Sequence, residues 1–157
     1  MKKLESSLKN MLLVLTGITV LSVAILAYFN ELTKEPIAQA NMKILNDALM
    51  SVVPGFDNNP VADSDTIYKM KGEVQTVDFI IYPAKKDGEW VGTAVQSVSL
   101  GFGGDMTVLV GFDSEGKIYD YSLLSHAETP GLGSKADVWF KKGEPGDIIG
   151  QNPGDKP

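Results

Sequence analysis

The hydrophobic pattern of the chain begins with a long uncharged run near the N-terminus. Residues 11–29 are nineteen consecutive positions without a charge, and eleven of them are Leu, Ile, Val or Phe. Nineteen helical residues span about 28 Å, close to the hydrocarbon thickness of a membrane. The run exceeds the apolar region of a signal peptide, and the nearest A-x-A-like triplet lies beyond it at residues 38–40. The pattern therefore predicts an uncleaved transmembrane helix over residues 11–29.

A second helical pattern starts at Pro36. Apolar residues recur there every three or four positions until the dipeptide Pro54-Gly55. Proline suits the first turn of a helix, because its missing N–H has no helical partner there. We therefore expect an amphipathic helix from Pro36 to the residues before Pro54, either continuing the membrane helix with a kink or following a short break. Residues 56–66 are polar and predict a loop.

Farther along the chain the apolar residues alternate with a period of two. The predicted strands are residues 77–81, 90–100, 106–112 and 117–124. Asp87-Gly88 is a strong signal for a tight hairpin. Residues 106–112 are apolar almost throughout, so we expect a central strand that is buried on both faces. Short turns between strands favour a mainly antiparallel sheet packed by helices, and the predicted fold class is α+β.

Composition and charge exclude several kinds of chemistry. The chain has 157 residues, no cysteine, no arginine and one histidine, His126. Disulfides, thiol catalysis and His-rich zinc sites are therefore excluded, and we expect neither a metal site nor a catalytic side chain. Three lysines and one glutamate lie in residues 1–10, so the rest of the chain has a net charge of −8. We therefore expect no nucleic-acid partner, a cytoplasmic N-terminus, and a domain on the opposite side of the membrane.

Two glycine-containing segments hold the candidate binding residues. The stronger candidate for a ligand-binding segment is residues 128–133, and the second candidate is residues 101–104. Their members are Glu128, Thr129, Pro130, Gly131, Leu132 and Gly133, and Gly101, Phe102, Gly103 and Gly104. Ser134 and Asp137 have the spacing of a capping box, which predicts a helix after the first segment. Free N–H groups at such a helix start suit a phosphate or a carbonyl of a ligand.

Three other positions in this region allow more than one interpretation. His126 is either a proton relay near a ligand or a strand-end histidine bonded to the backbone, and we favour the second. Trp139 either stacks on a ligand ring or packs in the core, and Lys141-Lys142 either meets a phosphate or forms a surface pair. The core and the surface pair are the more frequent cases. The glycines of residues 101–104 fit two interpretations equally well. They either allow a ligand to approach the backbone closely or form the loop that closes a corner of the sheet.

The string HAETPGLGSKADVWF, residues 126–140, resembles the signature of a known protein family. The family comprises the FMN-binding subunits of bacterial membrane electron-transport complexes. Its members are the G subunit of the Rnf complex and the C subunit of the sodium-pumping NADH:quinone reductase. The longer string GFGGDMTVLVGFDSEGKIYDYSLLSHAETPGLG, residues 101–133, and the ELTKEPIAQAN that follows the apolar run also match. The short loop after Pro54 resembles the Rnf G subunit more than the longer quinone-reductase subunit.

The resemblance implies an FMN joined through its phosphate to a threonine by a flavin transferase. In the family this threonine lies downstream of ETPGLG, in a Ser-Gly-Ala-Thr type of motif. No serine or threonine follows Ser134 in this sequence, and Thr129 belongs to the ETPGLG loop. We therefore expect attachment at a threonine beyond residue 157, in a chain that is C-terminally truncated.

The predicted protein is a single-pass protein of the cell (inner) membrane. Its expected regions are a cytoplasmic N-terminus (1–10), a transmembrane helix (11–29) and an extracytoplasmic FMN-binding domain (30–157) that is incomplete at its C-terminus. The resemblance implies an electron-carrying flavin subunit of an oxidoreductase coupled to ion translocation, which acts with other membrane subunits and not alone. Two alternatives remain: an anchored protein-binding module without redox activity, and the flavin domain of a separate membrane reductase.

Overall fold

The computed structural model describes residues 7–72 and 74–154. A long helix, α1 (Leu8–Val52), precedes five strands and a short helix. The strands are β1 (Asp65–Lys71), β2 (Val74–Lys86), β3 (Glu89–Leu100), β4 (Asp105–Asp113) and β5 (Ile118–Ser125), followed by a 3-10 turn (Gly133–Lys135) and α2 (Ala136–Trp139). All four strand pairings are antiparallel, in the order β1-β2-β3-β4-β5. The α+β class and the antiparallel sheet are therefore confirmed.

Helix α1 contains both helical patterns of the sequence in one element. It is long and apolar enough to cross a membrane, and its most apolar stretch is not buried in protein. Pro36 lies inside the helix, so of the two alternatives the second helical pattern continues the first, without a break. A proline costs about 3 kcal/mol inside a helix. Residues 30–35 and 37–52 are free of glycine and of further proline, so helix continues on both sides. The chain divides into two compact units, one ending at Met42 and one beginning at Lys43.

The core of the second unit lies between the end of α1 and one face of the sheet. Leu49, Val52 and Val53 are almost fully buried there. From the sheet they meet Tyr82 and Ala84 of β2, Ala94 of β3 and Leu109 of β4. The alanines allow the helix to lie close to the strands. At Gly111 of β4 the approach is closest, because a Cβ there would collide with the carbonyl of Val52.

The opposite face of the sheet is only partly covered. Along β4, only Leu109 and Gly111 are buried, and both face α1. The expectation of a strand buried on both faces was therefore wrong. On the opposite face, α2 and the residues after it pack near β5, where Tyr121 is buried. The apolar side chains of β1 and β2 on this face stay exposed, including Ile67, Tyr68 and Phe79.

Strand β1 was missed in the sequence. Its residues mix apolar and charged side chains without a clean alternation. The register shifts between Ile67 and Tyr68, so Tyr68 pairs with Val77 while Ile67 pairs with Phe79. A bulge of this kind interrupts the two-residue period by which a strand is recognised.

Candidate functional site

The two glycine-containing segments lie together at one edge of the sheet. Residues 101–104 connect β3 to β4, and residues 126–133 leave the end of β5. Because β4 is antiparallel to both neighbours, the end of β3, the start of β4 and the end of β5 share this edge. The Gly103 N–H donates a hydrogen bond to Glu128 Oε1 at 3.1 Å. The structure therefore brings the two predicted segments together as one unit, here called the glycine loops.

Three of the glycines in the glycine loops lie against Glu128 or the backbone beside it, two of them across the contact between the loops. A Cβ at Gly101 would collide with Glu128 Oε1, and a Cβ at Gly103 would collide with the Ala127 carbonyl oxygen. A Cβ at Gly133 would meet Glu128 Oε2 at 2.5 Å. The missing side chains thus make room for the carboxylate of Glu128 and the backbone beside it. Gly101 and Gly103 thus have a structural reason in the packing of the two loops.

Residues 129–134 form a compact turn that fixes the shape of the ETPGLG segment. The Thr129 carbonyl accepts hydrogen bonds from the N–H groups of Leu132 (3.2 Å) and Ser134 (3.3 Å). Ser134 Oγ accepts the Gly131 N–H at 2.9 Å. Gly131 has a φ of +75°, a conformation that favours glycine. The turn is thus stabilised by its own hydrogen bonds.

The predicted capping box does not form. Ser134 lies in the 3-10 turn before α2, and its hydroxyl bonds backward to Gly131 instead of capping the helix. Helix α2 has four residues and no side-chain cap. A helix of a single turn has only a small dipole, so α2 offers little attraction for an anion at its N-terminus.

His126 connects the end of β5 to α2. Its Nδ1 accepts the Glu128 N–H at 3.3 Å. Its Nε2 lies 3.5 Å from Asp137 Oδ2. These two contacts agree with a histidine bonded to the backbone at a strand end, and the first of them holds the backbone of Glu128 in place.

The side chains on the outside of the glycine loops are apolar and exposed. Phe102 points away from the rest of the protein, and so does Leu132. Thr129 and Pro130, in the same segment as Leu132, are also exposed. Gly104 has a φ of +147° and turns the chain back into β4. The glycine loops therefore combine an internally hydrogen-bonded backbone with two large exposed apolar side chains.

A cluster around Tyr121 holds the segment after the glycine loops on β5. The Tyr121 hydroxyl donates to the Ala136 carbonyl at 2.5 Å and accepts the Phe140 N–H at 3.3 Å. Lys141 Nζ lies 2.7 Å from Asp120 Oδ1 and 4.7 Å from the centre of the Tyr121 ring. Burial raises the pKa of Tyr121, while the bond from Phe140 acts in the opposite direction.

Lys141 was predicted to belong to a surface pair, and this was wrong. Lys141 is half-buried in its contacts with Asp120 and Tyr121, whereas Lys142 is exposed. The alternation of β5 placed Tyr121 on one face, but nothing local in the sequence pairs it with residues 136–141. Trp139 is partly exposed, and Gly146 lies against its indole ring.

An open cleft lies at the other end of β5. Its volume is about 610 Å³. It is lined by Ser51, Asp113, Ile118, Tyr119, Asp120, Lys141, Lys142, Ile149 and Gly150. The cleft lies at the start of β5, around Ile118, whereas the glycine loops follow its end at Ser125, and about 23 Å of strand separates these two residues. The cleft was not predicted, because residues 149–151 reach it only by folding back to pair with Ile118.

Comparison with known proteins shows what the segment that contains the glycine loops is similar to. A family described as "FMN-binding domain" matches residues 101–156. The G subunit of the ion-translocating oxidoreductase complex of Stutzerimonas stutzeri is 35% identical over 118 residues, which cover 71% of this chain and 50% of that protein. The corresponding proteins of Vibrio cholerae (strain M66-2) and Aliivibrio fischeri are 31% and 30% identical over 80% and 85% of this chain, and 61% and 65% of theirs.

The chain thus spans between half and two thirds of the length of these relatives. The matched residues 101–156 include both glycine loops, strands β4 and β5, and α2. The similarity to the relatives extends over most of the chain and includes residues outside the matched domain. Residues 101–156 therefore match the FMN-binding domain family, and the chain is similar over most of its length to the G subunits of ion-translocating oxidoreductase complexes.

Proposed function

We propose that the chain is an electron-carrying flavin subunit of a membrane complex that couples electron transfer to ion translocation. One observation carries the proposal. The FMN-binding domain spans the two glycine loops, which the Gly103–Glu128 hydrogen bond joins into one structural unit. The relatives named above are subunits of such complexes, which supports the role of the whole protein.

The exposed surface of the glycine loops supports the assignment of the FMN ring to this place. The isoalloxazine is flat and largely apolar, and the loops offer the exposed side chains of Phe102 and Leu132. The turn at residues 129–134 fixes its own backbone by hydrogen bonds, so little conformational freedom would be lost on binding. We assign the cofactor contacts to residues 128–133 first and residues 101–104 second.

FMN, when bound, supplies one- and two-electron transfer, and the protein supplies position and environment. Glu128 spaces the two loops, His126 holds the Glu128 backbone, and Ser134 closes the turn. None of these groups needs to act as a nucleophile or as a metal ligand. A protein that only positions the cofactor needs no reactive side chain, which agrees with a chain that has no cysteine and no arginine.

The membrane arrangement is part of the proposal. Helix α1 provides one candidate span, and the lysine-rich start favours a cytoplasmic N-terminus with the domain on the other side of the cell (inner) membrane. Because the chain has no cysteine, single cysteines report sidedness directly. In intact cells, a membrane-impermeant maleimide should label Ser114→Cys in the exposed β4–β5 turn and leave Ser7→Cys unlabelled. The reverse pattern would refute the orientation.

The partners and the attachment of FMN are also proposed. Other membrane subunits would donate and accept the electrons. A flavin transferase would join the phosphate to a threonine beyond residue 157, as the family resemblance implies. Thr129 is not offered as the attachment site, because in the family pattern it belongs to the ETPGLG loop and not to the downstream attachment motif.

Purification from native membranes under mild detergent tests the function. We expect the chain to copurify with flavin and with other integral membrane subunits. Flavin without membrane partners would instead support a separate reductase. Partners without flavin would support a protein-binding module without redox activity and would refute the electron-carrier proposal.

A further inference from the structure

The open cleft at the start of β5 is not used by the proposed flavin site. Its volume of about 610 Å³ lies within the range of small-molecule pockets, about 300–1,000 Å³. Its walls come from the end of α1, the β4–β5 hairpin and the segment that follows α2. Ile118 and Ile149 give these walls an apolar part. The cleft is therefore large enough for a small molecule, and three separate segments meet there.

The segment after α2 is held in place where it forms a wall of the cleft. Asp147 accepts hydrogen bonds from the N–H groups of Gly143 at 2.7 Å and Ile149 at 2.9 Å. The Gly150 N–H donates to the Ile118 carbonyl at 2.7 Å. The wall thus has its shape before any ligand binds, which lowers the entropy cost of binding.

The charged side chains of the cleft comprise one closed pair and two open groups. Lys141 Nζ donates to Asp120 Oδ1 at 2.7 Å, so these two charges pair with each other. Asp113 accepts N–H groups of its own turn with Oδ1, and its Oδ2 accepts no hydrogen bond within the described residues. Lys142 is exposed and forms no hydrogen bond or ion pair in the part of the chain that the structure describes. It lies near Asp147, but both carboxylate oxygens there already accept backbone N–H groups.

The balance of these charges determines which ligand the cleft can accept. Its two carboxylates and two ammonium groups sum to zero; they are Asp113, Asp120, Lys141 and Lys142. A simple anion beside Lys142 meets two carboxylates, and a simple cation beside Asp113 meets two ammonium groups. A molecule that carries both charges a few atoms apart pairs with both open groups and meets no net repulsion.

We propose that the cleft binds a small zwitterion, a molecule whose anionic group and ammonium group are joined by a short apolar link. Lys142 pairs with the anionic group, and Asp113 pairs with the ammonium group. Ile118 and Ile149 contact the link. Phosphoethanolamine has this chemistry, both as a free molecule and as the headgroup of phosphatidylethanolamine. The site is separate from the glycine loops, since about 23 Å of strand lies between Ile118 and Ser125.

NMR titration of the full chain in detergent micelles tests the proposal with two probes. One is O-phosphoethanolamine, and the other is short-chain phosphatidylethanolamine added to the micelles. We expect saturable shifts of the Ile118 and Gly150 amides and no shift of the Gly103 amide in the glycine loops. Saturation by O-phosphoethanolamine identifies a soluble ligand, and saturation by the lipid alone identifies a membrane headgroup. Absence of saturable shifts with both probes would overturn the proposal.

Probes with a single charge test whether the cleft recognises both charges. Inorganic phosphate and ethanolamine each carry one of the two charges of O-phosphoethanolamine, and phosphatidylglycerol is the anionic counterpart of the lipid. We expect each of them to bind at least about tenfold more weakly than the matching zwitterion. Equal affinity for a probe with one charge would show a simple ion site and contradict the proposal.

Substitutions test the two open groups. Lys142→Gln and Asp113→Asn each remove one charge, and the asparagine oxygen still accepts the N–H groups of the turn. Each should weaken binding of the zwitterion by about tenfold. Lys69→Gln and Asp47→Asn are matched controls, because they remove the same charges from exposed positions outside the cleft and should leave binding unchanged. The Gly150 amide of the unliganded variants shows whether the cleft is folded, and equal affinity in all four variants would refute the assignment.

Discussion

Glu128 and Gly103 are 25 positions apart in the sequence, and the carboxylate of one accepts the backbone N–H of the other at 3.1 Å. This single bond joins the β3–β4 loop to the segment that leaves β5. The glycines around it are needed because Glu128 fills the space that their side chains would occupy. The candidate binding surface therefore depends on an internal acidic side chain.

Removing the Glu128 carboxylate should loosen the glycine loops. Glu128→Ala leaves the Gly103 N–H without its acceptor, at a cost of about 1 kcal/mol. Exchange of the Gly103 amide hydrogen, measured by NMR in detergent, should accelerate about five- to tenfold. Glu128→Gln is the control, because its amide oxygen keeps the acceptor. Equal exchange rates in wild type and Glu128→Ala would show that the bond does not hold the loops.

The contact between α1 and β4 should tolerate no side chain at Gly111. A Cβ there collides with the Val52 carbonyl, which is backbone and cannot rotate away. Gly111→Ala should lower the free energy of unfolding by about 3 kcal/mol or more. Gly55→Ala, which meets nothing within 4 Å, should change it by less than about 0.5 kcal/mol. Urea unfolding followed by tryptophan fluorescence checks both, and equal midpoints would contradict the packing described.

The Tyr121 hydroxyl should hold the segment after the glycine loops. Tyr121→Phe removes the partner of the Ala136 carbonyl and of the Phe140 N–H, at a cost of about 1–2 kcal/mol. The Phe140 amide should then exchange faster, while the amides of β3 should not. Tyr119→Phe changes an exposed tyrosine on the same strand and should have no effect. Faster exchange in Tyr119→Phe alone would refute this assignment.

The local structure of residues 143–149 should depend on pH in the acid range, because the ionised carboxylate of Asp147 stabilises it. Hydrogen bonds from the N–H groups of Gly143 and Ile149 lower the pKa of Asp147 below its ordinary value of 3.8. Because the folded pKa is the lower one, the stabilisation is complete above the ordinary pKa and is lost as pH falls toward the folded pKa. NMR titration of the Gly143 amide should show the change below pH 3.8, and Asp147→Asn should abolish it. A transition above the ordinary value would contradict the contact.

The fold was largely predictable from local patterns. The apolar run at residues 11–29 and the two-residue period after residue 77 specify α1 and four of the five strands. Strand β1 was not predicted, because a bulge between Ile67 and Tyr68 interrupts its two-residue hydrophobic period. Of the two alternatives for Pro36, the continuous helix holds, because helix-forming residues lie on both sides of the proline.

The sequence predicted which segments form the candidate site but not the contacts between them. Glycine content and the ETPGLG string marked residues 101–104 and 128–133, but the Gly103–Glu128 bond depends on the strand register. The capping box at Ser134 failed because the hydroxyl has a nearer donor, the Gly131 N–H. Lys141 was misplaced because its partners, Asp120 and Tyr121, are some twenty residues away. Long-range pairing of this kind leaves no local signal.

Equilibrium titration of the detergent-solubilised chain with FMN tests the central claim most directly. We expect saturable one-to-one binding by the wild type. We also expect a loss of at least about tenfold in Gly103→Ala, whose Cβ would push the Ala127 backbone away and separate the loops. Gly55→Ala should bind like the wild type, and near-UV circular dichroism should show all three proteins folded. Absence of saturable binding by the wild type, or equal affinity in Gly103→Ala and Gly55→Ala, would contradict a flavin site built by the glycine loops.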